Sequence, residues 1–484
     1  MKPTTEQQSI IDEVQKESCK LLKVEAKSGS GKTSTLVKIA DVLKPNNGIY
    51  LAFNKHIATE ASTKFHKGVR CMTTHSLAYQ NTVRPLGLKV GWFNWKSIKR
   101  RMEYLHKLIV IDVMNDFFLS EFIKFELFVA HHKRTEVDMT LVNPNIYKFA
   151  HESIRDMFTG KVEITHGGYL KMYHMMLASG KIKHKTFDLI MLDEAQDSAP
   201  VTLEIFKLLP ADKKVMVGDP FQSIFAFNKC VNGFDVLRDE GVSKPMSQTF
   251  RCNPILAAQV QEFMRKHADP EFEFVGTEPV DNEIRTTMHI SRTNSSLVLK
   301  IINLMDGGVK FNMARKANIV FELILVLIHL SPGGKIYSSE WKHLQEDVDE
   351  WDTDPFLKSE YPTARKYIAE KYGEEPGIKS AMGVIGNYGV PKVLEAYDFA
   401  KSHEGDKNHK ITIGTAHSLK GAEADKVYIM DDINNSIREL IEEGKELWEY
   451  TEEDKEKINI VYVAYTRAAK QLVNAEWLNT VDSI

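Results

Sequence analysis

The stretch LLKVEAKSGSGKTSTLVKIADVL, residues 21–43, is compatible with few folds. Residues 21–26 form an apolar strand pattern, and Leu36, Val37, Ile39, Ala40 and Leu43 share one helical face. Between them, AKSGSGKT at 26–33 matches the phosphate-loop pattern GxxxxGK[ST], with Ala26 at the first glycine position. A strand that turns through glycines into a helix aims backbone N–H groups and the helix N-terminus at an anion. Ser28, Gly29, Ser30, Gly31, Lys32, Thr33 and Ser34 are therefore the expected contacts of a nucleotide, ATP. Lys32 would bring charge to the β- and γ-phosphates, and Thr33 a hydroxyl to Mg²⁺. A plain glycine–serine turn before an ordinary helix is the competing reading; the order strand, turn, Lys-Thr, helix favours the phosphate loop.

A second stretch, FDLIMLDEAQDSAP at 187–200, runs from an apolar strand into Asp193, Glu194, Gln196 and Asp197. Leu189–Leu192 fits a central parallel strand, apolar on both faces. Ligands of open α/β sheets collect beyond the carboxyl ends of such strands. Alone, this stretch is equally a solvated acidic turn. Beside a phosphate loop it becomes the Walker B strand, with Asp193 holding Mg²⁺ through its water shell and Glu194 deprotonating the attacking water.

GIYLAF at 48–53 and KVMVGD at 214–219 add strands to the same sheet. Between residues 86 and 184 the pattern changes to long helices rich in Lys, His and aromatics. A second α/β pattern opens at EIRTTMHISRTN, is interrupted by helix-like sequence over 306–407, and resumes as KITIGTAHS and KVYIMDD. Two interrupted α/β units account for 484 residues better than one sheet. The expected division is 1–85 with 185–260, an insertion at 86–184, then 261–305 with 408–484 and a short insertion at 306–407. A net charge of −3 excludes an overall basic field and weakens any case for tight non-specific duplex binding, although a local groove can be basic. Four scattered cysteines without a CxxC pair fit a reducing compartment, not zinc or a disulfide framework. The N-terminus lacks the apolar core of a signal peptide. IVFELILVLIHL at 319–330 is shorter than the ~20 residues of a membrane span and carries Glu322 and His329, so it reads as a buried helix. A soluble, intracellular protein of cytoplasm, nucleoid or nucleus is expected, with no membrane partner.

Further motifs fall in order along the chain. They are TEQQSII near the N-terminus, LAFNKHIA at 51–58, TTHSLAY at 73–79, DEAQD at 193–197 and GDPFQSIFAF at 218–227. TFRCNPIL at 249–256, SRTN at 291–294, TAHSLKGAEAD at 415–425 and YVAYTRAAK at 462–470 follow. Together they resemble the UvrD/Rep-like superfamily 1 DNA helicases, the F-box DNA helicase branch in particular. DEAQD, GDxxQSI and YVAxTRA are the specific members of the set. The resemblance implies an α/β fold class with two RecA-like P-loop cores, parallel sheets flanked by helices, each core carrying a mainly helical insertion.

It also implies roles. Gln7 would read adenine, Phe250 would stack on it and Glu423 would contact the ribose. Gln222 would sense the γ-phosphate, and Arg251 and Arg467 would be arginine fingers from the second core; a salt bridge at a surface or helix end is the alternative for both arginines. Phe53, Asn54, His75, Phe227 and His417 stand at strand-contact positions, the two Phe residues as base-stacking platforms. Core packing is the alternative for both rings, and at Phe53 the two readings are level. WFNWKSIKRR at 92–101 and HHKR at 131–134 mix aromatics with basic residues and fit either a grip on nucleic acid or a solvated helix face. Ala226 and Asn228 depart from the usual polar residues of GDPFQSIFAF, and GAEAD from the commoner ending of its motif.

The activity so implied is ATP-dependent, 3′-to-5′ translocation on single-stranded DNA with duplex unwinding. Its partners would be single strands, single-strand/duplex junctions and a replication or recombination protein. An ATP-driven remodeller or anti-recombinase that strips proteins from single strands, and an ATP switch with no track, are the alternatives.

Overall fold

A computed structural model describes residues 2–478 except Val137, Phe227, Asn228, Tyr337, Ser339 and Lys407, and the backbone alone at Tyr104. The chain divides into two compact units after Gln248. That is earlier than the division expected after residue 260. The reason lies in the next few residues: Thr249 N–H donates to Val275 O (2.8 Å), Asn253 N–H to Ala469 O (3.0 Å) and Asn253 Nδ2 to Lys470 O (2.9 Å). These bonds tie TFRCNPIL to the second unit.

The first unit is built on a six-stranded, all-parallel sheet. Its strands are β1 (Leu21–Ala26), β2 (Gly48–Ala52), β3 (Val69–Thr73), β4 (Phe187–Leu192), β5 (Ala211–Gly218) and β6 (Val242–Met246), in the order β3-β2-β4-β5-β1-β6. β1 lies between β5 and β6, with Val24 beside Val217 and Lys244. Both faces of the central strands are covered, as continuous apolar runs require. On one face Leu22, Val24, Tyr50, Leu189, Met191 and Val215 pack with Ile10, Leu36 and Ile39 of the flanking helices.

The opposite face carries the helical insertion. Helices Tyr104–Leu119, Phe125–Thr135, Ile146–Phe158 and His166–Ala178 occupy most of 86–184. Phe117, Phe118, Ile154 and Tyr173 belong to one continuous apolar cluster with Ile49, Leu51 and Ile190 of the sheet. The insertion thus shares the core of the first unit.

The second unit has a five-stranded parallel sheet of β7 (Thr287–Ser291), β8 (Asn312–Met313), β9 (Ile411–Thr415), β10 (Ala424–Ile429) and β11 (Ala468–Val473), ordered β11-β10-β7-β9-β8. β8 lies inside the segment expected to be all insertion, because Asn312 and Met313 pair with Thr412 and Ile413. Beyond it come helices, the longest being Pro376–Ser402, kinked at Gly389 (φ 74°) just before Pro391. The apolar run at 319–330 is divided between helices Ala317–Val320 and Glu322–His329 and buries Val320, Ile324 and Leu327. Among the described residues no helix is long and apolar enough to cross a membrane.

Candidate nucleotide site and nucleic-acid contacts

β1 ends at Ala26, and the chain reverses through Gly29 (φ 73°) and Gly31 (φ 83°) into the helix Lys32–Leu43. Both glycines occupy the left-handed region that a side chain disfavours. No side chain caps the helix, so its first N–H groups are left for a ligand. The Ser30 hydroxyl is buried without a partner among the described residues. An unpaired buried hydroxyl in that loop is what a phosphate would satisfy.

Opposite, β4 delivers Asp193 and Glu194. Glu194 itself has φ 52° and ψ 47°, a left-handed conformation costly for a non-glycine residue. That turn aims its carboxylate at the phosphate loop, where Oε1 lies 2.8 Å from Lys32 Nζ. Burial alone would lower the Lys32 pKa, but Glu194 and Asp193 outweigh it and the pKa is raised. The ammonium stays charged. Asp193 is buried beside Glu194, and both effects raise its pKa against the opposing pull of Lys32 and Tyr50. Each of its oxygens is held: Oδ1 accepts from Glu194 N–H (3.0 Å), and Oδ2 accepts a short hydrogen bond from the Tyr50 hydroxyl of β2. Tyr50 is fully buried, and its ring packs on Phe65 with centroids 5.1 Å apart.

Gln196, also fully buried, joins two motifs. Its Nε2 donates to Glu194 Oε2 (2.5 Å) and Asp197 Oδ2 (3.2 Å), while its Oε1 accepts from Asp219 N–H (3.2 Å). A Cβ at Gly218 would sit 2.1 Å from that Oε1, so only glycine admits the approach. Asp219 Oδ2 in turn accepts from Gln222 Nε2 (2.8 Å). Glu194 and GDPFQSIFAF are therefore linked through the Gln196 side chain.

Thr33 and Ser34 open the helix after the loop, with Thr33 half-buried and Ser34 exposed. Gln7 is buried against the same helix: Nε2 donates to Thr35 Oγ1 (3.0 Å), and Oε1 accepts from Lys38 Nζ (3.1 Å) and Thr4 N–H (3.2 Å). In the second unit Phe250 is exposed, and Arg251 donates to Glu423 Oε2 (2.8 Å) and Thr466 O (3.1 Å). Arg467 is only 1% exposed and donates to Val463 O (2.9 Å), Ala422 O (3.3 Å) and Thr466 Oγ1 (3.3 Å).

Of the expected strand contacts, Phe53 is half-exposed and stacks on Phe225 (centroids 6.0 Å, 27°). It lines a recess of about 150 Å³ with His75, Asp193 and Asp197. Asn54 is a cap: its Oδ1 accepts from Ile57 N–H (2.9 Å) at the start of helix Lys55–Ser62. His75 is exposed by area yet crowded by His166 and Tyr169; desolvation first, then His166, lower its pKa. His417 is half-buried on the turn after β9. Phe227 lies outside the described residues. The sequence alone assigns no role to Tyr50 or Gln196. DEAQD spells out Gln196, but nothing in GIYLAF separates Tyr50 from a core residue.

Two parallel α/β cores, one with a phosphate loop facing an acidic strand end, define the P-loop proteins with paired RecA-like cores. Comparison with known proteins narrows the class. A family model described as AAA domain matches residues 7–228, and one described as UvrD-like helicase C-terminal domain matches residues 367–475. F-box DNA helicase 1 of Gallus gallus is 26% identical over 532 residues, covering 99% of this chain and 49% of that protein. F-box DNA helicase protein 1 of Schizosaccharomyces pombe is 23% identical over 526 residues, covering 98% and 57%. Both models and both relatives support a UvrD-like superfamily 1 helicase. The chain spans about half the length of these curated relatives.

Proposed function

We propose that the chain is an ATP-dependent DNA helicase that moves 3′ to 5′ on single strands and opens duplex ahead of it. The observation that carries this reading is the Lys32–Glu194 ion pair, joined through Gln196 and Asp219 to Gln222. A hydrolytic site hard-wired to a second motif is what conversion of phosphate chemistry into movement demands.

The residues act as follows. Entry of a triphosphate moves Lys32 from Glu194 to the β- and γ-phosphates, releasing Glu194 Oε1 while Gln196 still fixes Oε2. Glu194 then orients the attacking water and takes its proton. Gln222 senses the γ-phosphate and passes its loss back through Asp219. Gln7 and Phe250 serve adenine and Glu423 the ribose. Arg251 and Arg467 neutralise transition-state charge, which requires each to exchange some of its present hydrogen bonds. Thr33 and Asp193 are hard oxygen donors, and no group of three or more His, Cys, Asp or Glu able to hold a metal occurs among the described residues. That donor set fits Mg²⁺, which keeps waters and phosphate oxygens in its shell. When bound, Mg²⁺ would neutralise charge on the β- and γ-oxygens, with Thr33 and Asp193 holding it.

Phe53, Asn54, His75, Phe227 and His417 are proposed to line the track. Cys19, Cys71 and Cys252, present as thiols, support an intracellular, reducing setting. The test is strand separation on duplexes with a 3′ or a 5′ single-stranded tail. Unwinding of the 3′-tailed substrate alone is expected. Unwinding of only the 5′-tailed one reverses the polarity, and ATP-driven clearance of a bound protein with no unwinding of either would replace the helicase by a remodeller.

A further inference from the structure

The basic, aromatic stretches of the insertion do not share one fate. In HHKR, His132 is buried, with Nδ1 3.0 Å from the Tyr147 hydroxyl and Nε2 3.4 Å from Asp116, and Lys133 pairs with Asp138 (3.3 Å). Those groups are spent on the fold. WFNWKSIKRR is different. Trp92 has 92% of its surface in water. Lys89, Lys96, Lys99 and Arg101, its neighbours in sequence, are exposed and form no ion pair among the described residues, whereas Arg100 pairs with Glu152 (2.7 Å) and Lys96 Nζ lies 5.3 Å from the Trp95 ring. In a chain of net charge −3, such a run concentrates positive charge in sequence beside an exposed indole, with the Glu163 carboxylate packed against Gly91 at the base of the loop.

The loop is held at its base. Ile164 N–H donates to Lys89 O (2.9 Å), Gly91 N–H donates to Ile164 O (3.1 Å), and Val90 bridges Ile164. Two residues on, His166 opens helix His166–Ala178, and its ring lies 6.4 Å from that of His75. Tyr169 of the same helix packs edge-on against His75 (5.9 Å) and half-exposed Tyr79 (6.0 Å). The loop is thus continuous with TTHSLAY, a proposed strand contact.

We propose that the Lys89–Arg101 loop is a second single-strand contact, with Trp92 stacking on one base and Lys96, Lys99 and Arg101 pairing with flanking phosphates. This rests on the reading that the chain runs on DNA. An exposed indole needs a base with a free π-face, which a single strand presents at every position and a duplex only at its ends. Basic side chains without an acidic partner complete the match in charge.

The test is anisotropy with labelled oligothymidylates, one long and one too short to extend beyond the core track, and a blunt hairpin duplex. Trp92→Ala should weaken the long strand about fivefold to a hundredfold and the short strand little. Its melting temperature should match the wild type, because the ring stands in water and belongs to no core. Lys96→Gln with Lys99→Gln should lower the slope of log affinity against log salt by about 0.7 for each phosphate left unpaired. Wild-type affinity for the long strand in Trp92→Ala overturns the proposal, as does a loss confined to the hairpin. Failure of the wild type to bind any strand refutes the helicase reading itself, a separate outcome.

Discussion

Tyr50→Phe removes one oxygen from the centre of the first unit and leaves the ring on Phe65. Asp193 Oδ2 then loses its donor while Oδ1 keeps the Glu194 amide. A hydrogen bond to a buried charge is worth roughly 1.5–3 kcal/mol, and loss of the partner that orients a metal-holding side chain costs about 10- to 100-fold in metal affinity. Those two figures agree. The Mg²⁺ concentration for half-maximal ATP hydrolysis should therefore rise about tenfold to a hundredfold, with turnover at saturating Mg²⁺ much less affected. Calorimetric binding of an ATP analogue, with and without Mg²⁺, reads the same change without catalysis: affinity should fall only in the presence of the ion. An unchanged Mg²⁺ requirement, together with a lower melting temperature, would show that the Tyr50 hydroxyl serves packing alone.

Glu194→Gln should bind ATP and DNA but stall hydrolysis, since it keeps the shape and removes the base; loss of ATP binding in a filter assay would make Glu194 structural. Arg467→Ala, by the finger role, should cut turnover by roughly 10³–10⁵ with little change in ATP affinity, whereas a helix-end role would appear as a fall in melting temperature with turnover per folded molecule intact. Lys171 is fully buried on the helix His166–Ala178, its Nζ 2.8 Å from Ser120 O, and burial pushes its pKa down to about 7 against weaker pulls from Glu121 and Glu204. Between about pH 7 and 10 the folded state holds it neutral while the unfolded chain keeps the proton, so this group makes stability rise with pH over that window. Lys171→Met should flatten that rise and add roughly 2–4 kcal/mol at neutral pH, after the lost hydrogen bond is discounted; equal slopes for both proteins in denaturant melts would refute it.

The glycine turn after β1 was legible because its pattern is written in consecutive residues, and Gly29 and Gly31 do take left-handed backbone just before the helix that Lys32 opens. Glu194 followed once the loop gave its strand a purpose. Tyr50 was hidden, because a tyrosine in GIYLAF looks apolar and its one polar atom matters only when Asp193, far along the chain, arrives beside it. β8 is too short to carry an alternating pattern, so pairing with β9 decided what sequence periodicity could not. The edge between the units escapes the sequence for a similar reason. TFRCNPIL follows the first unit directly in sequence, but its backbone bonds lead to Val275 and Ala469.

The order of strands sets a timetable for synthesis. β1 carries the phosphate loop, yet its neighbours in the sheet are β5 and β6, made some 200 residues later. At about 5–20 residues per second, the ribosome leaves that strand without partners for roughly ten to forty seconds. Through that interval Leu22 and Val24 have no sheet to enter, and the loop cannot hold a phosphate. Chaperone capture of nascent chains should accordingly peak before Met246 emerges and fall soon after, whichever codons are used in the helical insertion.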